Sequence, residues 1–437
     1  MENTQRFTNT STKQQWIAEQ ARAHPERVFT SLHHLIDIDW MREAYRLTRK
    51  DGAAGIDGVT AADYERDLDA NLSDLLNRIK SGRYVAPAVR RHWIPKGDGT
   101  SRALGIPTFE DKVAQRAILM LLESIYEQDF EPCSYGFRPG RGCHDALDAI
   151  RTGVMAERLR WVIDADVSKY FDSIRHGLIR EVLDLRITDG VIRRMIDKWL
   201  KAGVLEEGVL KRSEIGTPQG GVISPCISNI FLHIVLDKWF EQVVKPRLRG
   251  NSRLVRYADD FVILFEHEND AQRVLEVLGK RFGKYGLTLH ATKTRFINFH
   301  PPRGKGKNRD ASFDFLGFTH VWGTSRRGYK VLRQVTSKSR FARAVKSVHQ
   351  WCKANRHRSL AEQHKRLSRV IIGHCAYYGV TGNSNRLSQF RTQTERCWHK
   401  ALSRRSRDGG LNWVQMRELL RRYPLPKVRV MRSVYTT

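Results

Sequence analysis

Two adjacent carboxylates, Asp259 and Asp260, stand in YADD at 257–260 between the apolar, β-rich runs LVRY and FVILF, which predicts a hairpin with both acids at its tip. Asp is a common turn residue, so alone the pair reads as a solvated hairpin tip. A third acid changes that reading. The run WVIDADVSKYFDSI at 161–174 opens as a buried strand over 161–168, with Asp166 in line and the aromatic pair Tyr170 and Phe171 after it. Three acids on two strands can hold two Mg²⁺ ions, because Mg²⁺ takes hard oxygen ligands and completes its shell with water and substrate phosphate. Two such ions can stabilise both the attacking and the leaving oxygen of an in-line phosphoryl displacement. Catalysis of that kind is mainly positioning and charge neutralisation.

The whole-chain charge agrees with a phosphate-bearing partner. Lys and Arg number 76 against 47 Asp and Glu, a net charge of +29 and a pI near 10.2, which speaks of nucleic acid. A membrane surface is the competing polyanion. No apolar run is long enough to span a bilayer, the start MENTQRFTNTSTKQQ has no signal-peptide pattern, and no polybasic tail accompanies a lipidation motif. A soluble, cytoplasmic protein associated with ribonucleoprotein or the nucleoid is expected, with no membrane partner. The six cysteines are widely spaced and form no CxxC pair, so neither a zinc ribbon nor a disulfide framework is expected. No GxxxxGK[ST] or GxGxxG spacing occurs, which excludes an ATPase or dinucleotide reading.

The elements that must position these acids follow in an α+β order. The first seventy residues read mostly as helix, interrupted by the glycine-rich DGAAGIDGVT at 51–60. Then come a strand and turn at 89–106, a long helix over KVAQRAILMLLESIYEQ, a Gly/Arg loop at 135–142, the strand at 161–168, a helix at 189–202, a loop and helix at 213–243, the YADD hairpin and a helix over DAQRVLEVLGKRFGKYG. The Pro, Gly and Lys-rich stretch 300–312 marks a boundary. Beyond it FDFLGFTHVWG and GYKVL read as two short strands, and the rest as helices. Residues 336–437 carry 23 Lys or Arg against 4 Asp or Glu, so +19 of the +29 resides there. Trp351, Tyr377, Tyr378 and Trp398 in these helices read either as core or as stacking platforms for bases.

Taken in order, HWIPKGDGTSRALGIPTFEDKVAQRA (92–117), SYGFRPGRGCHDAL (134–147), DADVSKYFDSI (164–174), GTPQGGVISPCISNIFL (216–232), RYADDFVIL (256–264), GLTLHATKTRFINF (286–299) and FDFLGF (313–318) resemble the reverse transcriptases encoded by bacterial group II introns, proteins that also act as maturases. The resemblance covers nearly the whole chain. It implies a right-hand polymerase, with an amino-terminal extension at 1–75 whose GIDGVT loop touches template, fingers and palm over 76–320, and a helical thumb and maturase domain over 335–437.

The resemblance also implies roles. Asp166 and Asp259 would be the principal ligands of two Mg²⁺ ions, supported by Asp260, with Val167 among the metal-holding positions. Lys96 and Arg102 would grip the dNTP triphosphate, Lys as a point charge and Arg bidentately. Phe171 would lie under the sugar and exclude a ribose 2′-hydroxyl, and Gln219 would lie against the nucleotide. Lys293 would sit near the phosphates and could donate a proton to leaving pyrophosphate, although a solvated Lys after a strand is the competing reading. Implied partners are structured intron RNA, an RNA template with DNA primer, dNTPs and target DNA. The HNH endonuclease domain of many relatives, with its paired Cys and His, has no counterpart before Thr437, so second-strand cleavage is not expected and priming from nicks or replication forks is. The rival readings are an RNA-dependent RNA polymerase, a catalytically idle RNA-binding maturase, and a domesticated reverse transcriptase in phage defence or beside a CRISPR array.

Overall fold

Apolar residues all round a helix require burial on every side, and the long helix predicted after residue 110 is the centre of its surroundings. The computed structural model describes residues 9–95, 101–168, 170–206, 209–211, 220–302, 311–405 and 410–434. It divides into two compact units, Met1–Phe296 and Ile297–Thr437. In the first, α1 (Thr10–Ala23), α2 (Ile38–Leu47), α3 (Ala61–Glu65) and α4 (Leu68–Lys80) precede a hairpin of β1 (Val89–Pro95) and β2 (Ser101–Ile106). Helix α5 (Phe109–Asp129) follows, with Val113, Ala117, Ile118, Leu121, Leu122 and Ile125 fully buried. Its amino end is capped by the Thr108 hydroxyl, which accepts from the Asp111 N–H. The glycine-rich loop docks on this end: a Cβ on Gly55 would lie 2.5 Å from the Thr108 Cα, and Lys112 Nζ donates to the Ala53 carbonyl at 2.7 Å.

The unit continues through α6 (Cys143–Met155), β3 (Trp161–Ala165), α7 (Tyr170–Ser173), α8 (His176–Asp184), α9 (Gly190–Lys201), β4 (Val204–Glu206), β5 (Val209–Lys211), α10 (Ser224–Leu232), β6 (Ser252–Tyr257), β7 (Asp260–Phe265), α11 (Glu268–Lys284) and β8 (Arg295–Asn298). Where one regular helix was predicted to run to 243, α10 gives way to π-helical turns at His233–Asp237 and Phe240–Val244. Two four-stranded sheets result, in the orders β2-β1-β4-β5 and β6-β7-β3-β8. In the second, β7 pairs antiparallel with both β6 and β3, and its residues 261–265 are all buried. An unbroken apolar run is what a strand covered on both faces requires, and α6 and α11 pack against it.

Strand β3 ends at Ala165, short of the predicted 168, because the chain changes partner there. His290 N donates to the Asp166 carbonyl at 2.8 Å, Val167 bridges Leu289, and Ser168 N donates to Thr288 O at 2.9 Å.

The second unit holds β9 (Ser312–Phe315), β10 (Phe318–Thr324) and β11 (Lys330–Thr336), then α12 (Lys338–Ala354), α13 (Leu360–Tyr378), α14 (Ser384–Leu402) and α15 (Trp413–Arg422). The run FDFLGFTHVWG, predicted as one strand, is two: Leu316 at φ 50 and Gly317 at φ 81 make the two-residue turn that twisted antiparallel strands favour. The three-stranded sheet lies in the same compact unit as the helices. Trp398 belongs to their core, fully buried and donating Nε1 to Gln363 Oε1 at 2.9 Å, whereas Trp351, Tyr377 and Tyr378 are half-buried. All six cysteines are free, four of them buried. No helix among the described residues is long and apolar enough to cross a membrane.

Candidate active site

Tyr257 and Asp260 form the last pair of the β6–β7 hairpin, leaving Ala258 and Asp259 as a two-residue turn. Ala258 has φ 56. A side chain at positive φ is sustained only where neighbours over-determine it, at a cost of about 1–3 kcal/mol. The neighbour here is Arg256, whose side chain is fully buried with that of Asp237. Its guanidinium donates to Ala258 O at 3.0 Å, Asn229 Oδ1 at 2.9 Å, Ser134 Oγ at 2.7 Å and Asp237 Oδ1 at 2.7 Å, and pairs again with Asp237 Oδ2. Asn229 in turn donates to Gly136 O at 2.7 Å. A Cβ on Gly136 would meet the Ala258 nitrogen at 2.5 Å, so glycine is what lets the SYGF segment close on the turn.

The third acid comes from the neighbouring strand. Pairs between β3 and β7 run from Trp161↔Phe265 to Ala165↔Phe261. The paired register ends there, one residue short of Asp166 on one chain segment and of Asp260 on the other. Lys293 reaches the same point from the turn before β8: its Nζ lies 2.8 Å from Asp166 Oδ2, with the Asp side chain 29% exposed and the Lys 63%. Two residues along, Arg295 pairs with Asp164 at 2.6 Å. Lys293 is thus an ion-pair partner of Asp166 while its side chain stays largely exposed.

Other predicted positions divide by what is described. Val167 has a buried, purely apolar side chain, so only its backbone carbonyl offers an oxygen to an ion. Phe171 lies in α7, five residues after Asp166, and Arg102 pairs with Ile94 across the β1–β2 hairpin; the side chains of both lie outside the described set. Lys96 and Gln219 lie outside the described residues. Tyr170 is buried and donates to Ser228 O at 2.9 Å, and burial raises its hydroxyl pKa well above the usual range. Among the described residues no group of three His, Cys, Asp or Glu side chains stands assembled as a metal site.

Sequence reasoning missed Arg256, Asp237 and Asn229. A signal was there: a lone Arg inside the apolar run LVRYA and a lone Asp inside IFLHIVLDKWF each need a partner once buried, and each other is the economical choice. It also missed Asp111 and Gln115, which form a buried polar cluster at the start of α5.

A sheet with acids on adjoining strands, preceded by a β-hairpin and followed in the chain by a basic helical segment, is the right-hand polymerase class of fold. The chain belongs to the reverse transcriptase family: the family model described as reverse transcriptase (RNA-dependent DNA polymerase) matches residues 94–320. Protein YkfC of Escherichia coli K12 is 34% identical over 352 residues, covering 73% of this chain and 90% of that one. The group II intron-encoded protein LtrA of Lactococcus lactis is 36% identical over 278 residues, 61% of this chain and 46% of that one. An uncharacterised 91 kDa protein in the cob intron of Schizosaccharomyces pombe is 38% identical over 180 residues, 40% of this chain and 22% of that one. This chain therefore spans most of YkfC but under half of LtrA.

Proposed function

We propose that this chain is an RNA-directed DNA polymerase of the group II intron type, extending a DNA primer with dNTPs on an RNA template, and that it also binds structured intron RNA in support of splicing and mobility. The observation that supports the polymerase reading is that β3, which ends directly before Asp166, pairs with the strand that opens at Asp260, beside a turn held by a buried ion pair.

Reverse transcriptases use divalent metal ions. The donors here, carboxylates of Asp166, Asp259 and Asp260 with the Val167 carbonyl, are all hard oxygens and suit two Mg²⁺ ions, with water and substrate phosphate completing each shell. When bound, such ions neutralise the charge on the transferring phosphoryl group. The chain's own residues do the rest. The Arg256–Asp237 pair keeps the Ala258–Asp259 turn in its strained form, so the acids need no reorganisation. Lys293 holds a proton at Nζ, 2.8 Å from Asp166 Oδ2, from which it can pass to a leaving pyrophosphate oxygen. Lys96 and Arg102 bind the triphosphate, Gln219 lies against the nucleotide, and Phe171 excludes the ribose 2′-hydroxyl. The basic segment 336–437 tracks RNA, template–primer and target DNA backbones, so binding falls steeply with salt. The test is incorporation of dNTPs against rNTPs on one primed RNA template. Preferential dNTP incorporation supports the reading, and rNTP preference replaces it with an RNA-dependent RNA polymerase.

A further inference from the structure

Behind residues 220–223 lies a buried polar cluster that none of these steps uses. Asp111, in the first turn of α5, is 1% exposed and accepts from three donors: Tyr84 Oη at 2.5 Å and Trp199 Nε1 at 2.6 Å on Oδ1, and Gln115 Nε2 at 3.0 Å on Oδ2. The three hydrogen bonds run to the two carboxyl oxygens, the pattern in which a carboxylate accepts them. Burial pushes its pKa up to about 6, while the hydrogen bonds from Tyr84, Trp199 and Gln115 act the other way.

An amide faces a carboxylate with its NH₂ group, which turns the Gln115 oxygen the other way. That oxygen accepts from the backbone N–H of Ile223 at 3.2 Å. Gly221 lies on the same atoms: a Cβ there would sit 3.0 Å from Gln115 Oε1 and 2.8 Å from Ser224 Oγ. Gly220, at φ 112, presses on the Gly105 carbonyl of β2, where a Cβ would collide. These glycines directly follow Gln219 in the chain.

We propose that Asp111 and Gln115 are a positioning pair for nucleotide binding: the carboxylate sets the polarity of the Gln115 amide, and the amide fixes the backbone of residues 220–223, which directly follow in sequence Gln219, the residue assigned above to the incoming dNTP. This rests on the polymerase reading. Both residues are buried and act through the loop.

The polarity argument gives a test by exchange. In Asp111→Asn an NH₂ replaces the oxygen facing Gln115, the Gln115 amide turns over, and its NH₂ then opposes the Ile223 N–H. In Gln115→Glu two carboxylates meet. In the double variant Asp111→Asn/Gln115→Glu the new amide at position 111 donates to the new carboxylate at position 115. The second oxygen of that carboxylate accepts from Ile223, while the amide oxygen at position 111 keeps Tyr84 and Trp199. Steady-state kinetics on a fixed RNA template–DNA primer should show the dNTP KM of each single variant raised about tenfold, the loss of roughly one buried hydrogen bond. Primer–template Kd should be unchanged, and the double variant should return to within about twofold of wild type. A single variant with wild-type KM, or a double variant as impaired as the singles, overturns the proposal. If a single variant does not fold, the double decides: normal KM supports the pair, and raised KM or failure to fold rejects it. A wild-type chain without extension activity defeats the polymerase reading instead. Hydrogen exchange at the Ile223 amide then judges the pair, which requires slow exchange in wild type and double variant and fast exchange in the singles; equal rates in all four overturn it.

Discussion

Removing Asp237 should show what the buried ion pair does for stability and for the site. In Asp237→Asn the Arg256 guanidinium remains fully buried without a counter-charge, a situation that costs about 3–5 kcal/mol. The double variant Arg256→Met/Asp237→Leu removes both charges, and such replacements are often neutral or favourable in themselves. It still strips the donor from the Ala258 carbonyl, Asn229 Oδ1 and Ser134 Oγ. Each of these three orphaned buried acceptors costs about 1–3 kcal/mol, and the recovered ion-pair desolvation, about 1–4 kcal/mol, returns only part, so a net loss of about 2–5 kcal/mol is expected, close to that of the single variant. Urea unfolding at 25 °C should therefore find both variants destabilised by a similar amount. Primer extension should fall in both. Both variants leave Ala258 at φ 56 with its anchor lost or displaced, and a displacement of about 1 Å in a reacting group can cost about 10²-fold. A double variant that extends primers at wild-type rate would refute the assignment of the pair as the anchor of the turn. An Asp237→Asn loss below about 1 kcal/mol would refute the burial argument.

Three other outcomes follow from particular residues. Phe171→Ala should relax sugar selection, raising rNTP incorporation relative to dNTP by at least about tenfold in a competition assay, and an unchanged ratio removes the gate. Lys293→Met should lower kcat by about 10²-fold if the ammonium acts as general acid; the same variant frees Asp166 Oδ2, so half-maximal activity should need less Mg²⁺, and an unchanged kcat returns Lys293 to the role of an exposed charge. Burial lowers the pKa of His233 to about 3, so it stays neutral while its unfolded counterpart titrates near 6.5. A depressed histidine contributes stability that is complete above the unfolded pKa and is lost as pH falls toward the folded one. At pH 5 the loss is about 2 kcal/mol, and urea titrations at pH 7.5 and 5 should show His233→Phe losing correspondingly less than wild type; equal losses contradict the assignment.

The hairpin that carries Asp259 and Asp260 was legible because its signal is local: an apolar run, a short tip and an apolar run can hardly be anything else, and the structure has β6 and β7 where those runs lie. The long helix was legible for the same reason, thirteen of its residues being buried. What could not be read depends on partners distant in sequence. Strand β3 stops at Ala165 because residues 288–290 supply new hydrogen bonds, a fact no pattern within 161–168 contains. The π-helical turns after α10 follow no change in hydropathy period. Leu316 taking φ 50 beside Gly317 split an apparently continuous strand, since only the glycine half of that turn announces itself. Asp111 stands directly before the predicted long helix and carries no local sign of its partners. Its worth lies in Tyr84 and Trp199, the latter 88 residues away, and in the Gln115 amide that reaches Ile223 across 108 residues.

The central claim, that Asp166 directly after β3 and the acids of the YADD turn share one seat for phosphoryl transfer, meets its most direct test in Mg²⁺-dependent extension of a primed RNA template by wild type, Asp166→Asn and Asp259→Asn, with primer–template affinity measured alongside. Both substitutions should abolish extension while leaving affinity within about twofold, because binding belongs to the basic surface. Extension at wild-type rate by either variant would contradict it.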